Sequence, residues 1–186
     1  MTTYTTTIDS PLGPLTLVAS DTHLLAVLWK NDRRHTFANA IPNPTHPILT
    51  QTATQLAEYF GGARQTFSLP MDPIGTDFQK SVWNALARIP YAQTTSYAAI
   101  ARSLDRATAS RAVGAAVGHN PLSILLPCHR VLSATGALTG FAGGLPAKQF
   151  LLALERPSLL KLETPSHPHQ SNSPPYAAIP ITNHVT

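Results

Sequence analysis

The sequence predicts an α+β chain in two parts: a small α/β segment built on an antiparallel sheet, then a mainly helical segment with a helix-turn-helix. Three observations predict this. β-Prone runs at 4–8, 15–19 and 24–29 crowd the start of the chain. Apolar residues at helical spacing begin only after them. A connector at 67–75, carrying Pro70 and Pro73, separates the two patterns. The expected organisation is a scaffold domain at 1–72, a chemically active domain at 73–160 and a disordered tail at 161–186.

Each element follows from its local residues. Ser10-Pro11-Leu12-Gly13-Pro14 is a turn-rich link between the first two strands. Residues 31–45 are polar, carry Pro42 and Pro44, and read as a loop. A helix is expected over 47–60, with Ile48, Leu49, Leu56, Tyr59 and Phe60 at helical spacing and Gly61-Gly62 as its stop. Thr76 and Gln79 make a capping box for a helix whose stripe is Phe78, Val82, Leu86 and Ile89, ended by Pro90. A second short helix runs from Tyr97 to Leu104, Asp105-Arg106 forms a tight turn, and a third helix spans about 108–119. A last helix covers about 147–156. The tail is rich in Pro, Ser, His and Asn, which cannot bury enough apolar surface to order a chain.

Composition narrows the class. Of 186 residues, 43% are apolar and 12% charged, which suits a globular protein. No apolar run approaches the roughly 18–20 residues that span a bilayer. Met1 to Ser10 is polar and threonine-rich, so no signal peptide and no membrane partner are expected. One cysteine permits no internal disulfide and no multi-cysteine zinc site, and the reducing cytoplasm is the expected address. Residues 1–74 hold Lys30, Arg33, Arg34 and Arg64 against Asp9, Asp21, Asp32, Glu58 and Asp72. Residues 75–160 hold eight basic groups against Asp77, Asp105 and Glu155, a net of +5. That asymmetry suits a polyanionic partner, and equally an ordinary solvated basic face.

The third helix is nearly bare of bulk at Ala112, Gly114, Ala115, Ala116 and Gly118. Glycine within a helix costs up to about 1 kcal/mol relative to alanine, so close approach of another backbone or of DNA is implied. Arg111 stands near its start, where a long cation can reach into a groove or simply meet water.

The chemistry centres on Cys128. A lone cysteine is commonly a small buried hydrophobe. Here it follows Pro127, which fixes the backbone, and precedes His129 and Arg130, which favour a thiolate. Glu155 is the only carboxylate after Asp105 in this half and is the candidate partner for the imidazole. These residues alone allow either a Cys-His hydrolase or an alkyl-accepting thiolate.

Residues 75–156 closely resemble the C-terminal domain of the methylated-DNA–protein-cysteine methyltransferases, also called 6-O-alkylguanine-DNA alkyltransferases. The resemblance rests on Ile89-Pro90-Tyr91, Ser96-Tyr97, Arg111-Ala112-Val113-Gly114, Asn120-Pro121, Leu126-Pro127-Cys128-His129-Arg130-Val131, the glycine loop through Gly144, Lys148, and Leu151 to Glu155. It implies an RNase H-like first domain and a winged-helix-like second one. It implies direct-reversal repair without cofactor or metal, in which an alkyl group passes irreversibly from 6-O-alkylguanine, or 4-O-alkylthymine, in duplex DNA to Cys128.

By the same resemblance His129 accepts the thiol proton, Glu155 orients the imidazole, Asn120 braces the active-site turn, and Tyr97 donates toward N3 of the departing guanine. Arg111 fills the space of a flipped base, while Ala112, Gly114, Ala115 and Gly118 press into the minor groove. Val131, Phe141, Ala142 and Gly143 line the pocket: carbonyls of Cys128 and Val131 meet the guanine amino group, and the Ala142 amide meets its 6-oxygen. Phe141-Ala142 stands where members often carry a tyrosine or a serine. A monomer is expected, cooperative on DNA in some settings.

Overall fold

In the computed structural model, which describes residues 1–156, the three β-prone runs are strands: β1 Tyr4–Ile8, β2 Leu15–Ala19 and β3 Leu24–Trp29. The tail expected from 161 lies outside the described residues. The strands pair antiparallel, with Ile8 opposite Leu15 and Leu15 opposite Trp29. Leu15, Leu17, Val27 and Trp29 enter the main core, whereas Val18, Ala26 and Leu28 form a small second cluster under Phe37. Side chains that alternate along a strand face opposite sides, so this sheet is covered on both faces.

The loop expected over 31–45 contains one further strand. Ile41–Pro42, β4, pairs parallel to β1 and completes the order β3-β2-β1-β4. Two residues, one a proline, carry no periodic signal, and proline is tolerated only at such an edge. Helix α1, Pro47–Phe60, spans the expected residues and buries Leu49, Leu56 and Tyr59. The left-handed residue after it is Gly62, at φ +75°, while Gly61 keeps a right-handed φ of −78°.

The free edge of β3 receives the rest of the chain. Leu24 N donates to Pro70 O at 2.8 Å, and Val27 N donates to Pro121 O at 2.8 Å. Ser123 N returns a bond to Val27 O at 3.2 Å. The sheet thereby holds both the connector and the segment that leads to Cys128.

The second half is helical apart from a two-residue pair of strands. Its elements are α2 Asp77–Ala87, β5 Thr95–Ser96, α3 Tyr97–Ser103, α4 Ser110–Gly118, a 3-10 turn Cys128–Arg130, β6 Val131–Leu132 and α5 Gly144–Glu155. Thr76 and Gln79 form the expected reciprocal cap on α2, and Ser96 caps α3. Helices α3 and α4 are each slightly shorter than their apolar spacing suggested. Asp105, at φ +55°, makes the sharp turn between them. The Trp83 indole ties α2 to α4 through a 2.9 Å bond to Ala116 O.

Candidate active site

Cys128 opens the 3-10 turn and is buried, with its amide bonded to Leu126 O at 2.7 Å. The approach to it is strained. Ile124 sits at φ +74°, a left-handed conformation costly for a β-branched side chain. Asn120 clamps this turn: its Nδ2 donates to Leu126 O at 2.8 Å and its Oδ1 accepts from Leu122 N at 3.0 Å.

Behind the cysteine lies a buried polar relay. His129 Nε2 donates to Glu155 Oε1 at 2.8 Å, and the imidazole is wholly buried. Arg130 Nε and Nη2 grip the two Glu155 oxygens at 2.8 Å each, while its Nη1 donates to Ile89 O at 2.6 Å. The guanidinium stacks over Tyr91. Ala92, turned by a φ of +61°, aims its amide at Glu155 Oε2, 3.1 Å away. Tyr59, from α1, adds its hydroxyl to Oε1 at 2.7 Å.

Burial alone would push the Glu155 carboxyl up; the bonds from His129 and Arg130 prevail and hold it down at about 2. Burial lowers the proton affinity of His129 more than Glu155 raises it, so the resting imidazole is neutral. An ionised Glu155 fixes the tautomer: Nε2 carries the hydrogen and Nδ1 keeps its lone pair. That Nδ1 is buried without a protein partner. The relay therefore presents one open base.

The thiolate expected at rest is not favoured. Burial pushes the Cys128 thiol up, against the opposing pull of Asn120, Lys148 and Arg34. Arg130, expected to favour the anion at Cys128, spends its charge on Glu155. Lys148 is fully buried and donates to Val131 O at 2.6 Å and Thr139 O at 2.8 Å. Thr139 in turn donates to the Tyr97 hydroxyl at 3.3 Å. One chain of bonds thus joins Tyr97, Thr139, Lys148 and Val131.

The pocket residues come from the same region. Val131 is buried, and Phe141, Ala142 and Gly143 are half-buried. The carbonyls of Cys128 and Val131 each already accept a bond, from Val131 N and Lys148 Nζ, leaving one lone pair apiece. A Cβ on Gly143 would meet the Trp29 indole at 2.7 Å. Phe141 packs edge-on against the same indole. Neither the cleft lined by Arg88, Gln93 and Ser103 nor that lined by Thr16, Asp32 and Phe37 is lined by Cys128.

On α4 the bare face points outward. Arg111, Ala112 and Ala115 are exposed, Gly114 and Gly118 are half-buried, and Val113, Ala116 and Val117 form the buried face. A Cβ on Gly114 or Gly118 would meet only Tyr97 or Arg34, at 3.8 Å. Internal packing therefore does not require either glycine. Among the described residues no His, Cys, Asp and Glu cluster is placed to hold a metal, and no helix is long and apolar enough to cross a membrane.

The first half supplies more than the inert scaffold expected of it. Tyr59 reaches Glu155, Trp29 backs the glycine loop, and Arg34 donates to Gly118 O at the end of α4. Only Tyr59 left a trace in the sequence: a phenol on an apolar stripe needs a buried partner for its hydroxyl.

Known proteins share this architecture and its order. The ribonuclease-like domain of 6-O-methylguanine DNA methyltransferase matches residues 3–73, and the DNA binding domain of that family matches residues 77–157. A methylated-DNA–protein-cysteine methyltransferase of Methanosarcina barkeri is 44% identical over 158 residues, 84% of this chain and 99% of the relative. The one from Mycobacterium tuberculosis is 43% identical over 155 residues, 81% of this chain and 90% of the relative. The crystal structure of Mycobacterium tuberculosis OGT in complex with DNA superposes with a TM-score of 0.79 at 42% identity, covering 83% of this chain and 93% of that one. With both halves matched in order, the chain belongs to the 6-O-methylguanine DNA methyltransferase family.

Proposed function

We propose that the protein repairs DNA by direct reversal, taking the alkyl group of 6-O-alkylguanine onto Cys128 in one irreversible event per molecule. The observation that carries this reading is the open Nδ1 of His129, left basic by the Glu155 carboxylate on the other ring nitrogen. Cys128 is a neutral thiol until substrate arrives. Its proton then passes to His129, directly or through a water, as the sulfur attacks the alkyl carbon in line. A carbon–sulfur bond forms, the carbon–oxygen bond breaks, and the electron pair leaves with guanine. Tyr97 neutralises that charge by donating toward N3. The product thioether is a very poor leaving group, and the chain has no second thiol to accept the alkyl group.

A stacked base is out of reach of a buried sulfur, so the lesion is flipped out of the duplex. Arg111 fills its place while Ala112, Gly114, Ala115 and Gly118 lie against the minor groove, where base identity is poorly encoded. The outward, bare face of α4 supports this. Val131, Phe141, Ala142 and Gly143 receive the base, the Ala142 amide facing its 6-oxygen. Alkylated thymine is a second substrate of the same chemistry. We assign the working form to a cytoplasmic monomer, with residues 1–72 bracing and 73–160 performing the transfer.

Titrating methylated duplex into a fixed amount of protein tests this. Repaired lesions should level off at one per protein molecule. A Cys-His hydrolase would instead act catalytically on an ester or amide and leave the lesion intact.

A further inference from the structure

Glu155 is coordinated beyond what holding one imidazole requires. Its Oε1 accepts from His129 Nε2 at 2.8 Å, Arg130 Nη2 at 2.8 Å and the Tyr59 hydroxyl at 2.7 Å. Its Oε2 accepts from Arg130 Nε at 2.8 Å and Ala92 N at 3.1 Å. A carboxylate oxygen offers about two lone-pair sites, so the three donors on Oε1 compete for its charge. Arg130 and Ala92 already fix the carboxylate in place without Tyr59. What the phenol adds is a third claim on the oxygen that faces His129. Tyr59 is itself fully buried, and burial followed by the Glu155 charge push its hydroxyl far up, so it stays a donor.

We propose that Tyr59 is a positioning residue of the Cys128–His129–Glu155 relay: by donating to Glu155 Oε1 it limits how strongly the carboxylate draws a proton onto His129. This rests on the reading of His129 as proton acceptor. A hydrogen-bonded carboxylate stabilises an imidazolium less than a bare one does. Tyr59 therefore keeps His129 unprotonated and ready to take the thiol proton. The other groups facing the relay are Arg130 and Cys128 on the turn, Tyr91 after α2 and Lys148 on α5. The positive charges of Arg130 and Lys148 also oppose a proton on His129. A change at residue 59 leaves them in place.

The test is the titration of the His129 ring in the full chain, followed by nitrogen NMR, with His129→Gln identifying its signals. Tyr59→Phe keeps the ring and its contacts with Phe60, Phe67 and Tyr91 while removing only the hydroxyl. It should move the His129 midpoint upward by about half a pH unit or more. Placing 3-fluorotyrosine at residue 59 makes the phenol a stronger donor and should move the midpoint downward. The acid limb of the methyl-transfer rate should follow in each case. A His129 ring that gains its proton no earlier in Tyr59→Phe, or two substitutions that shift it the same way, overturns the proposal. The titration needs no DNA, so an inactive parent protein would count against the repair reading alone.

Discussion

Gly143 and Trp29 touch so closely that a Cβ on the glycine would lie 2.7 Å from indole Cε2. The glycine loop beside the candidate pocket is thus seated on a side chain from β3, in the other half of the protein. Gly143→Ala should cost about 1–3 kcal/mol through overpacking and slow methyl transfer. Trp29→Leu opens that space, so the double variant should lose less than the two single losses combined. Denaturant unfolding and single-turnover rates on all four proteins would measure the coupling.

Glu155→Gln keeps the shape of the relay and removes its charge. His129 then loses the partner that fixes its tautomer, and the buried Arg130 guanidinium is left uncompensated. Stability should fall by about 3–5 kcal/mol. Transfer should slow by about a hundredfold or more, since positioned proton transfer contributes that much. Near-parental rates in the Glu155→Gln protein would remove Glu155 from the mechanism.

Stability should peak near neutrality and fall on both sides. Glu155 and His129 both have lower proton affinity folded than their ordinary 4.5 and 6.5. The unfolded chain therefore binds more protons as pH falls. The His129 contribution weakens below about 6.5, and that of Glu155 from about 4.5 down to about 2. The Glu155 part amounts to roughly 3 kcal/mol. Cys128 works in the opposite sense: its raised thiol favours the folded state below the ordinary 9.0 and loses that contribution as pH climbs through its folded value. Urea midpoints from pH 3 to 10 would trace this dome; a plateau through acid would contradict the buried relay.

Gly114→Ala should stabilise the free protein by about 0.5–1 kcal/mol, because the new methyl meets only the Tyr97 ring at ordinary contact distance. The same methyl should weaken binding to methylated duplex. Arg111→Ala should weaken binding without changing the melting temperature, since its side chain is exposed. It should also flatten the dependence of affinity on salt. Thermal melts paired with binding isotherms at two salt concentrations would show whether stability and affinity part in this way.

Much of this was legible because its causes are local. β-Prone runs and the turn-rich link at 10–14 place β1 to β3, and Thr76 with Gln79 marks the start of α2. Pro127-Cys128-His129-Arg130 named the reacting group, and Glu155 was the one carboxylate left to meet it. The rest depends on contacts far apart in sequence. Tyr59 and Glu155 are 96 residues apart, and nothing around Tyr59 says where its hydroxyl goes. The packing of Gly143 against an indole from β3 is likewise set by a residue far away in sequence. The resting thiol was missed because Arg130 reads as a charge beside Cys128 until its guanidinium is seen bound to Glu155.

The central claim is that Cys128 itself keeps the alkyl group. Incubating the full chain with excess methylated duplex, then mapping its peptides by mass spectrometry, tests this most directly. The account predicts one added methyl group, on the peptide containing Cys128, and none on a Cys128→Ser protein treated alike. Lesions that disappear while the protein mass stays unchanged, or a methyl group found on any other residue, would contradict it.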